Sequence, residues 1–259
     1  MSIQSEVDTF LDRDQTGAPS SGSRLTAHSI SLEYRKDSRL VFVTDPNGLG
    51  VERYRLLRRR LCASSPTGGM LMITSPSSGD GKTLTAVNLA WCLAESGQQT
   101  CLVDLDFRAP GVGRTLGYEK WTSDVVGVLA GQCTVSQALH QIENHRLHVL
   151  GIRHAILSPS HQLSPAVLKP MLKELRDRFE WVILDMPPTI PMADVAEVLP
   201  HVDGALMIVR SAKTTKSIVG PTLEILGTKL WGVVLNDATI NGSAYYGNYG
   251  YGANRNRKQ

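Results

Sequence analysis

Short apolar runs and helical repeats alternate along most of the chain. Apolar runs typical of buried strands occur at 70–74, 100–104, 147–151, 181–185, 205–209 and 231–235. Apolar residues at helical spacing predict helices at 47–62, 82–95, 123–130, 165–179 and near 217–226. Strands that alternate with helices form parallel βαβ units with right-handed crossovers. The pattern therefore predicts an α/β fold with a doubly wound, mostly parallel sheet.

The two ends of the chain lack this periodicity. Residues 1–45 are mostly polar, and we expect a flexible N-terminal arm before a single folded domain over 46–240. Residues 241–259 are rich in Gly, Asn and Tyr, which predicts a disordered tail. This tail contains four of the seven tyrosines of the chain, Tyr245, Tyr246, Tyr249 and Tyr251.

Composition excludes several classes of protein. The formal net charge of +3 is too small to indicate a nucleic-acid partner. The four cysteines form no C-x-x-C pair, so we expect neither a zinc site nor disulfides, and a reducing cytoplasm fits. No apolar run is long enough to span a bilayer, so any role at a membrane would come through a partner. The histidines, among them His140, His145 and His148, are expected on the surface or in loops.

The segment from Ser75 to Thr83, SPSSGDGKT, separates a predicted strand from a predicted helix. Backbone N–H groups and the helix dipole can receive phosphate at such a place. Gly79 and Gly81 allow close approach of a nucleotide, Lys82 would reach its phosphates, and the Thr83 hydroxyl would bind magnesium. Pro76 replaces the first glycine of the usual pattern, so the segment is a variant P-loop. The alternative is a glycine-rich surface turn.

Acidic residues follow two other predicted strands. Asp104 and Asp106 end the strand at 100–104, and Asp185 ends the strand at 181–185. Carboxyl ends of parallel strands share one edge of the sheet, so these carboxylates would face the phosphates, hold magnesium or accept a proton. Arg108 would offset their charge. The alternative is that they are ordinary solvated loop residues.

These three segments resemble the Walker A, Walker A′ and Walker B motifs of the bacterial tyrosine kinases of capsule and exopolysaccharide export. The resemblance implies a P-loop NTPase fold of the deviant Walker type, with ATP and Mg²⁺ as cofactors. It also implies an enzyme that phosphorylates its own C-terminal tyrosines. Glu52, Arg55 and Arg58 resemble the E-x-x-R-x-x-R element through which the family forms ring-like oligomers.

The resemblance also implies roles for single residues. The implied catalytic residues are Lys82, Asp104 as the base and Asp106 as an activating or positioning residue, and the implied metal ligands are Thr83, Asp104 and Asp185. The implied nucleotide-binding residues are Gly79, Asp80, Gly81, Lys82, Thr83, Leu84 and Asn236. Of these, Asn236 would contact the adenine base. Asp194 and the pair Asp203–Gly204 also fit the family pattern.

Partners and location follow from the same resemblance. It implies a separate inner-membrane polysaccharide co-polymerase that activates the kinase, and a tyrosine phosphatase that reverses the reaction. The chain would then be cytoplasmic and would lie at the inner face of the membrane through that partner.

Other interpretations remain open from sequence alone. A partitioning or positioning ATPase has a related sheet, but it carries a second P-loop lysine, which would fall at Ser77, and it lacks a tyrosine tail. A third interpretation is a nucleotide-binding scaffold without kinase activity, against which the intact Lys82, Asp104, Asp106 and Asp185 argue. The arginine-rich helix at 47–62 would pack on the sheet or bind anionic lipid instead of a second subunit.

Overall fold

A computed structural model describes residues 27–32, 38–156, 164–191 and 193–239. The predicted tail at 241–259, with its four tyrosines, lies outside the described residues. So does most of the predicted N-terminal arm. The domain boundary at 240 falls outside the described residues and therefore stays a prediction.

The described strands are short and form a single sheet. They are β1 (His28–Ile30), β2 (Gly69–Thr74), β3 (Thr100–Asp104), β4 (His140–Ile142), β5 (Leu147–Leu150), β6 (Trp181–Asp185), β7 (Gly204–Arg210) and β8 (Leu230–Asn236). Their order in the sheet is β1-β4-β5-β3-β6-β2-β7-β8. Neighbouring strands are parallel except β4 and β5, which are antiparallel. The predicted doubly wound, mostly parallel sheet is confirmed.

Helices cover both faces of the sheet. In the described residues they are α1 (Val41–Thr44), α2 (Leu49–Ser64), α3 (Lys82–Glu95), α4 (Val112–Leu116), α5 (Val125–Leu129), α6 (Val135–Ala138), α7 (Pro165–Arg178), α8 (Asp194–Val198) and α9 (Lys216–Leu226). Short 3₁₀ turns follow α8 and α9 at Leu199–His201 and Gly227–Lys229. None of the described helices is both long enough and apolar enough to cross a bilayer.

The central strands have a hydrophobic core on each face. Because side chains alternate along a strand, Met70 and Met72 face the core under α5 to α9, whereas Leu71 and Ile73 face the core under α1 to α4. Helix α3 is buried along most of its length because it lies between the sheet and α2. Burial on both faces explains why the central strands read as continuous apolar runs.

The register of the central strands aligns the predicted acidic residues. Asp104 of β3 is directly opposite Asp185 of β6, and Ile73 of β2 is opposite Asp185 on its other side. The P-loop begins after β2, so it starts at the same edge. Arg210 and Asn236 are paired at the ends of β7 and β8. The parallel sheet thus brings five strand ends to one edge.

Two sequence expectations are wrong in the part of the chain that the structure describes. Within the predicted arm, β1 joins the sheet, and Leu40 and Phe42 are buried. The side chain of Asn88 fixes this segment, since it accepts the N–H of Val41 and donates to the carbonyl of Arg39. Burial of these apolar side chains in the core stabilises the segment, although its overall composition is polar.

The histidines are the second correction. His140 and His148 are 1% and 2% exposed, on β4 and β5. Burial lowers the pKa of His148 to about 4 and lowers that of His140 as well, so both rings stay neutral and pack against aromatic neighbours. A lone histidine in a strand reads as polar in sequence, but its neutral ring behaves as an aromatic core residue.

Candidate functional site

The P-loop adopts a conformation that requires its glycines. Gly79 and Gly81 have φ values of 81° and 98°, and Gly81 is the N-cap of α3. A β-carbon on Gly81 would lie 2.0 Å from Nδ2 of Asn236, so a side chain does not fit there. The amino end of α3 and the backbone of the loop therefore remain open to an anionic ligand.

The Asp80 side chain stabilises the P-loop through hydrogen bonds. Its Oδ2 accepts the N–H and the hydroxyl of Ser77, and its Oδ1 accepts the hydroxyl of Thr214. The side chain is fully buried. Asp80 was predicted to bind nucleotide; the structure leaves only its backbone for that role, because both carboxylate oxygens hold the loop together.

Lys82 lies inside a cluster of carboxylates. Its Nζ is 2.6 Å from Oδ2 of Asp106 and 3.4 Å from Oγ1 of Thr83. Burial acts to lower the pKa of Lys82, but the charges of Asp185, Asp106 and Asp104 together outweigh it and raise the pKa above its ordinary value. The ammonium is therefore charged and would meet any phosphate bound by the loop.

Asp104 holds the loop that follows β3. Its Oδ1 accepts the N–H of Asp106, and its Oδ2 accepts the N–H groups of Gly111 and Val112. Burial and the nearby charge of Asp185 raise its pKa. Asp106 differs, since it lines the cavity beside the P-loop, whereas Asp104 does not.

Asp185 is the unsatisfied group of the site. It is fully buried, and neither of its carboxylate oxygens makes a hydrogen bond of good geometry with any residue that the structure describes. Burial raises its pKa to about 6, against the opposing effects of Lys82 and the Thr83 hydroxyl. A buried carboxylate without partners is costly unless a cation satisfies it. The chemistry of Asp185 and Thr83 fits Mg²⁺, which prefers oxygen ligands.

Asp185 and Thr83 alone would not complete the coordination shell of a magnesium ion. In the described ranges, no three His, Cys, Asp or Glu side chains converge as a self-contained metal site. Magnesium in phosphate-handling proteins is commonly held by one or two carboxylates together with waters and phosphate oxygens. The residues present fit that arrangement.

Arg108 does not lie among these carboxylates as expected. Its Nη1 donates to Oδ2 of Asp194, at the start of α8. Asp194 is almost fully buried, so this ion pair fixes the loop after β3 to the loop after β6. Sequence reasoning singled out both residues but did not foresee that they pair.

A cavity of 960 Å³ opens beside the P-loop. Predicted site residues line it, namely Gly79, Gly81, Lys82, Thr83, Leu84, Asp106 and Asn236. Asn236 donates from Nδ2 to the carbonyl of Asp80. The cavity is also lined by residues that were not predicted, Arg39, Arg114, Arg210 and Asp237. Arg210 was detectable in principle, because it ends a strand at the same edge.

The predicted self-association residues lie elsewhere, on α2. Arg55 pairs with Glu52 at 2.7 Å and with Glu95 at 3.5 Å, and Arg58 donates to the carbonyl of Cys92. The contacts with Glu95 and Cys92 join α2 to α3 within one subunit. Glu52 and Arg55 remain partly exposed, and neither lines the cavity. Their role between subunits stays a prediction.

Comparisons with known proteins agree with this geometry. A protein family described as an AAA domain matches residues 70–218. Tyrosine-protein kinase YwqD of Bacillus subtilis is 32% identical over 222 residues, which cover 83% of this chain and 93% of that protein. The succinoglycan biosynthesis transport protein ExoP of Rhizobium meliloti is 26% identical over 85% of this chain, which spans 29% of that longer protein.

A solved structure extends the comparison to the fold. The kinase domain of the Escherichia coli tyrosine kinase ETK superposes with a TM-score of 0.72 at 25% identity. The match covers 85% of this chain and 88% of that domain. The fold of this chain is thus similar to that of a known tyrosine-kinase domain.

Proposed function

Since the chain belongs to the bacterial tyrosine kinases, we propose that it transfers the γ-phosphoryl group of ATP to Tyr245, Tyr246, Tyr249 and Tyr251 of its own tail. The observation that carries this proposal is Asp185, a fully buried carboxylate whose oxygens make no hydrogen bond of good geometry with the described residues, next to Lys82 and Thr83 of a P-loop. Such a group is costly in the folded chain and is explained by a cation that accompanies phosphate.

Each side chain of the site has a distinct part in this proposal. The loop backbone and Lys82 bind the β- and γ-phosphates. Thr83 and Asp185 would hold magnesium, which neutralises charge on those phosphates. In this proposal Asn236, whose Nδ2 donates to the carbonyl of Asp80, contacts adenine. Binding of phosphate by Lys82 would draw its ammonium away from Asp106 and leave that carboxylate free.

Asp106 is the better placed of the two Walker A′ carboxylates to accept the phenol proton. From sequence, that role was assigned to Asp104, with Asp106 as an activating residue. In the structure Asp106 lines the cavity, whereas the oxygens of Asp104 accept three backbone N–H groups. A general base must reach the proton that it removes. We therefore assign Asp104 to holding the loop and Asp106 to the proton.

The acceptor tyrosines are proposed to come from a neighbouring subunit of a ring-like oligomer. Glu52 and Arg55 support this, since they are partly exposed on α2. Each phosphate adds roughly −1.5 to −2 charges at neutral pH, so several on one tail repel one another. Phosphorylation would then loosen the oligomer.

The partners are proposed from the family. ExoP, by its name a succinoglycan transport protein, contains a region similar to this chain within a longer protein. We propose that this kinase acts in capsule or exopolysaccharide export, on the cytoplasmic face of the membrane. A separate inner-membrane polysaccharide co-polymerase would activate it, and a tyrosine phosphatase would reset it.

The rival functions have weaker support. A partitioning ATPase would carry a second lysine at the position of Ser77, and this chain does not. A scaffold without activity would have no need to keep Asp106 and Lys82 in contact at the cavity.

Mass spectrometry of the tail tests the proposal. The full chain is incubated with Mg-ATP and the co-polymerase, beside a Lys82→Met variant. We expect phosphotyrosine in the wild-type tail and none in the variant. Phosphotyrosine in the variant, or its absence from fully activated wild type, would contradict the proposal.

A further inference from the structure

Lys213 lies against the P-loop although it belongs to a distant part of the chain. It is in the turn at 210–214 that follows β7. Its Nζ is 3.0 Å from the position that a β-carbon would take on Gly79. Gly79 lines the cavity in the middle of the loop that would bind phosphates. The ammonium therefore lies against the P-loop, although Lys213 is not among the residues that line the cavity.

The backbone of this turn is fixed by internal hydrogen bonds. The N–H groups of Lys213 and Thr214 both donate to the carbonyl of Arg210, and the N–H of Arg210 donates to the Thr214 hydroxyl. Ala212 has a φ of 57°, which is uncommon for a residue with a side chain and persists only where the surroundings impose it. The base of the Lys213 side chain is thus held in one place.

The turn is also bound to the P-loop itself. The Thr214 hydroxyl donates to Oδ1 of Asp80 at 2.8 Å, and Nη1 of Arg210 donates to the carbonyl of Gly79 at 3.3 Å. Asn236, from the next strand, donates to the carbonyl of Asp80. These hydrogen bonds tie the backbone of the turn, and with it the base of the Lys213 side chain, to the P-loop.

The charge of Lys213 is not used inside the subunit, as far as the described residues extend. Among the cations near the site, Lys82 pairs with Asp106, Arg108 with Asp194 and Arg210 with Asp237. Lys213 makes no ion pair within the residues that the structure describes. A long cationic side chain that is exposed, unpaired and anchored beside a phosphate loop suits an anionic ligand.

We propose that Lys213 binds the γ-phosphate of the nucleotide from the β7–α9 turn, as a second lysine in addition to Lys82. Negative charge would be concentrated at the site when a triphosphate binds, because Asp106 lines the cavity and Asp185 is buried at the neighbouring strand end. Lys213 offsets part of that charge from the solvent side, where Lys82 does not reach while it contacts Asp106. This inference rests on nucleotide binding at the P-loop but not on phosphorylation of the tail.

Binding measurements on the purified full chain test the role of Lys213. Calorimetry with Mg²⁺ compares a non-hydrolysable ATP analogue with ADP for wild type and for Lys213→Met, Lys213→Arg and Lys216→Met. Lys216 is the matched control, an exposed lysine three residues further along the chain. We expect Lys213→Met to weaken binding of the analogue about tenfold and that of ADP less than about twofold. Lys213→Arg should keep most of the affinity, and Lys216→Met should match wild type.

Several results would overturn the assignment. Equal affinities of Lys213→Met and Lys216→Met for the analogue would contradict it, and so would an equal loss for ADP and the analogue. Thermal unfolding of each variant checks the fold, and Lys213→Gln supplies a polar replacement if methionine causes aggregation. Failure of wild type to bind either nucleotide would instead contradict the proposed nucleotide site itself.

Discussion

The two walls of the cavity handle charge in different ways. Behind the wall formed by the ends of β3 and β6, Asp104 and Asp185 are buried, and burial raises both pKa values. On the wall formed by β7 and β8, Arg210 and Asp237 form an ion pair with side chains 36% and 60% exposed. The first wall holds charge that the folded chain satisfies poorly by itself. The second holds solvated charge that costs little and positions the loops.

This difference separates chemistry from positioning. Unsatisfied buried groups are the ones that a ligand would stabilise, so the β3–β6 wall is where magnesium and phosphate are expected to act. The β7–β8 wall grips the P-loop through Asn236, Thr214 and Arg210. Substitutions on the first wall should therefore change the reaction, and substitutions on the second should change affinity and stability.

The largest effect is expected from Asp185→Asn. Loss of the carboxylate that we propose to bind magnesium should lower phosphotransfer at least about a hundredfold. The same change should stabilise the protein without magnesium or nucleotide by on the order of 2 kcal/mol, because a buried, unpartnered charge is removed. Urea denaturation measures the free energy of unfolding, and tail phosphorylation measures the rate.

Asp177→Asn is the control for that variant, since Asp177 is an exposed carboxylate paired with Lys173. It should change neither quantity. A less stable Asp185→Asn protein with normal activity would show that the buried carboxylate serves the fold and not a cation.

A smaller effect on the reaction, with a larger effect on stability, is expected where the two walls meet at Gly81. Gly81→Ala places a β-carbon at a φ of 98° and 2.0 Å from Nδ2 of Asn236. We expect a loss of roughly 3 kcal/mol in the free energy of unfolding, together with weaker nucleotide binding. Gly97→Ala provides the comparison, because Gly97 has a φ of 94° and no described atom lies within 4 Å of the place that its β-carbon would take. It should lose only about 1 kcal/mol.

Equal losses of stability in the two glycine variants, measured by thermal or urea unfolding, would mean that the contact with Asn236 does not contribute to the cost of the Gly81→Ala change. The contact between the walls would then be incidental to the shape of the P-loop.

The smallest effect is expected from Thr214→Val. It removes the hydrogen bond to Oδ1 of Asp80 and the one accepted from the N–H of Arg210, and it keeps the size of the side chain. We expect a loss of about 1 kcal/mol in stability and a decrease of a few-fold in nucleotide affinity. Thr215→Val is the control, because the hydroxyl of Thr215 makes no capping bond at the start of α9. If both valine variants bind nucleotide equally, the β7–α9 turn does not support the P-loop.

Much of the fold was predictable because the central strands are buried on both faces. The segments Thr100–Asp104, Trp181–Asp185 and Lys82–Glu95 were predicted with the bounds that the structure has. Short edge elements such as β1 and β4 were not predicted, because three residues give no measurable period. The packing of Leu40 was missed for a related reason: the segment is fixed by Asn88, which is far away in sequence.

The site shows the same limit. The motifs identified Lys82, Asp106 and Asp185 because strand ends and the loop–helix junction are visible in sequence. The contribution of β7 and β8 was only partly visible, since Asn236 came from the family resemblance and Arg210 and Lys213 carry no motif. Hydrogen bonds such as those that occupy Asp104 depend on how the loop at 104–112 folds back, which no local pattern encodes.

A mixing experiment most directly tests the central claim, that one subunit phosphorylates the tail of its neighbour. One form carries Lys82→Met with an intact tail, and the other has an intact site with its four tail tyrosines changed to Phe. The two are mixed with Mg-ATP and the activating co-polymerase, and the tails are analysed by mass spectrometry. We predict phosphotyrosine on the Lys82→Met chain, donated by the active site of its neighbour. Absence of phosphotyrosine from the mixture, when wild type alone is phosphorylated, would contradict transfer between subunits.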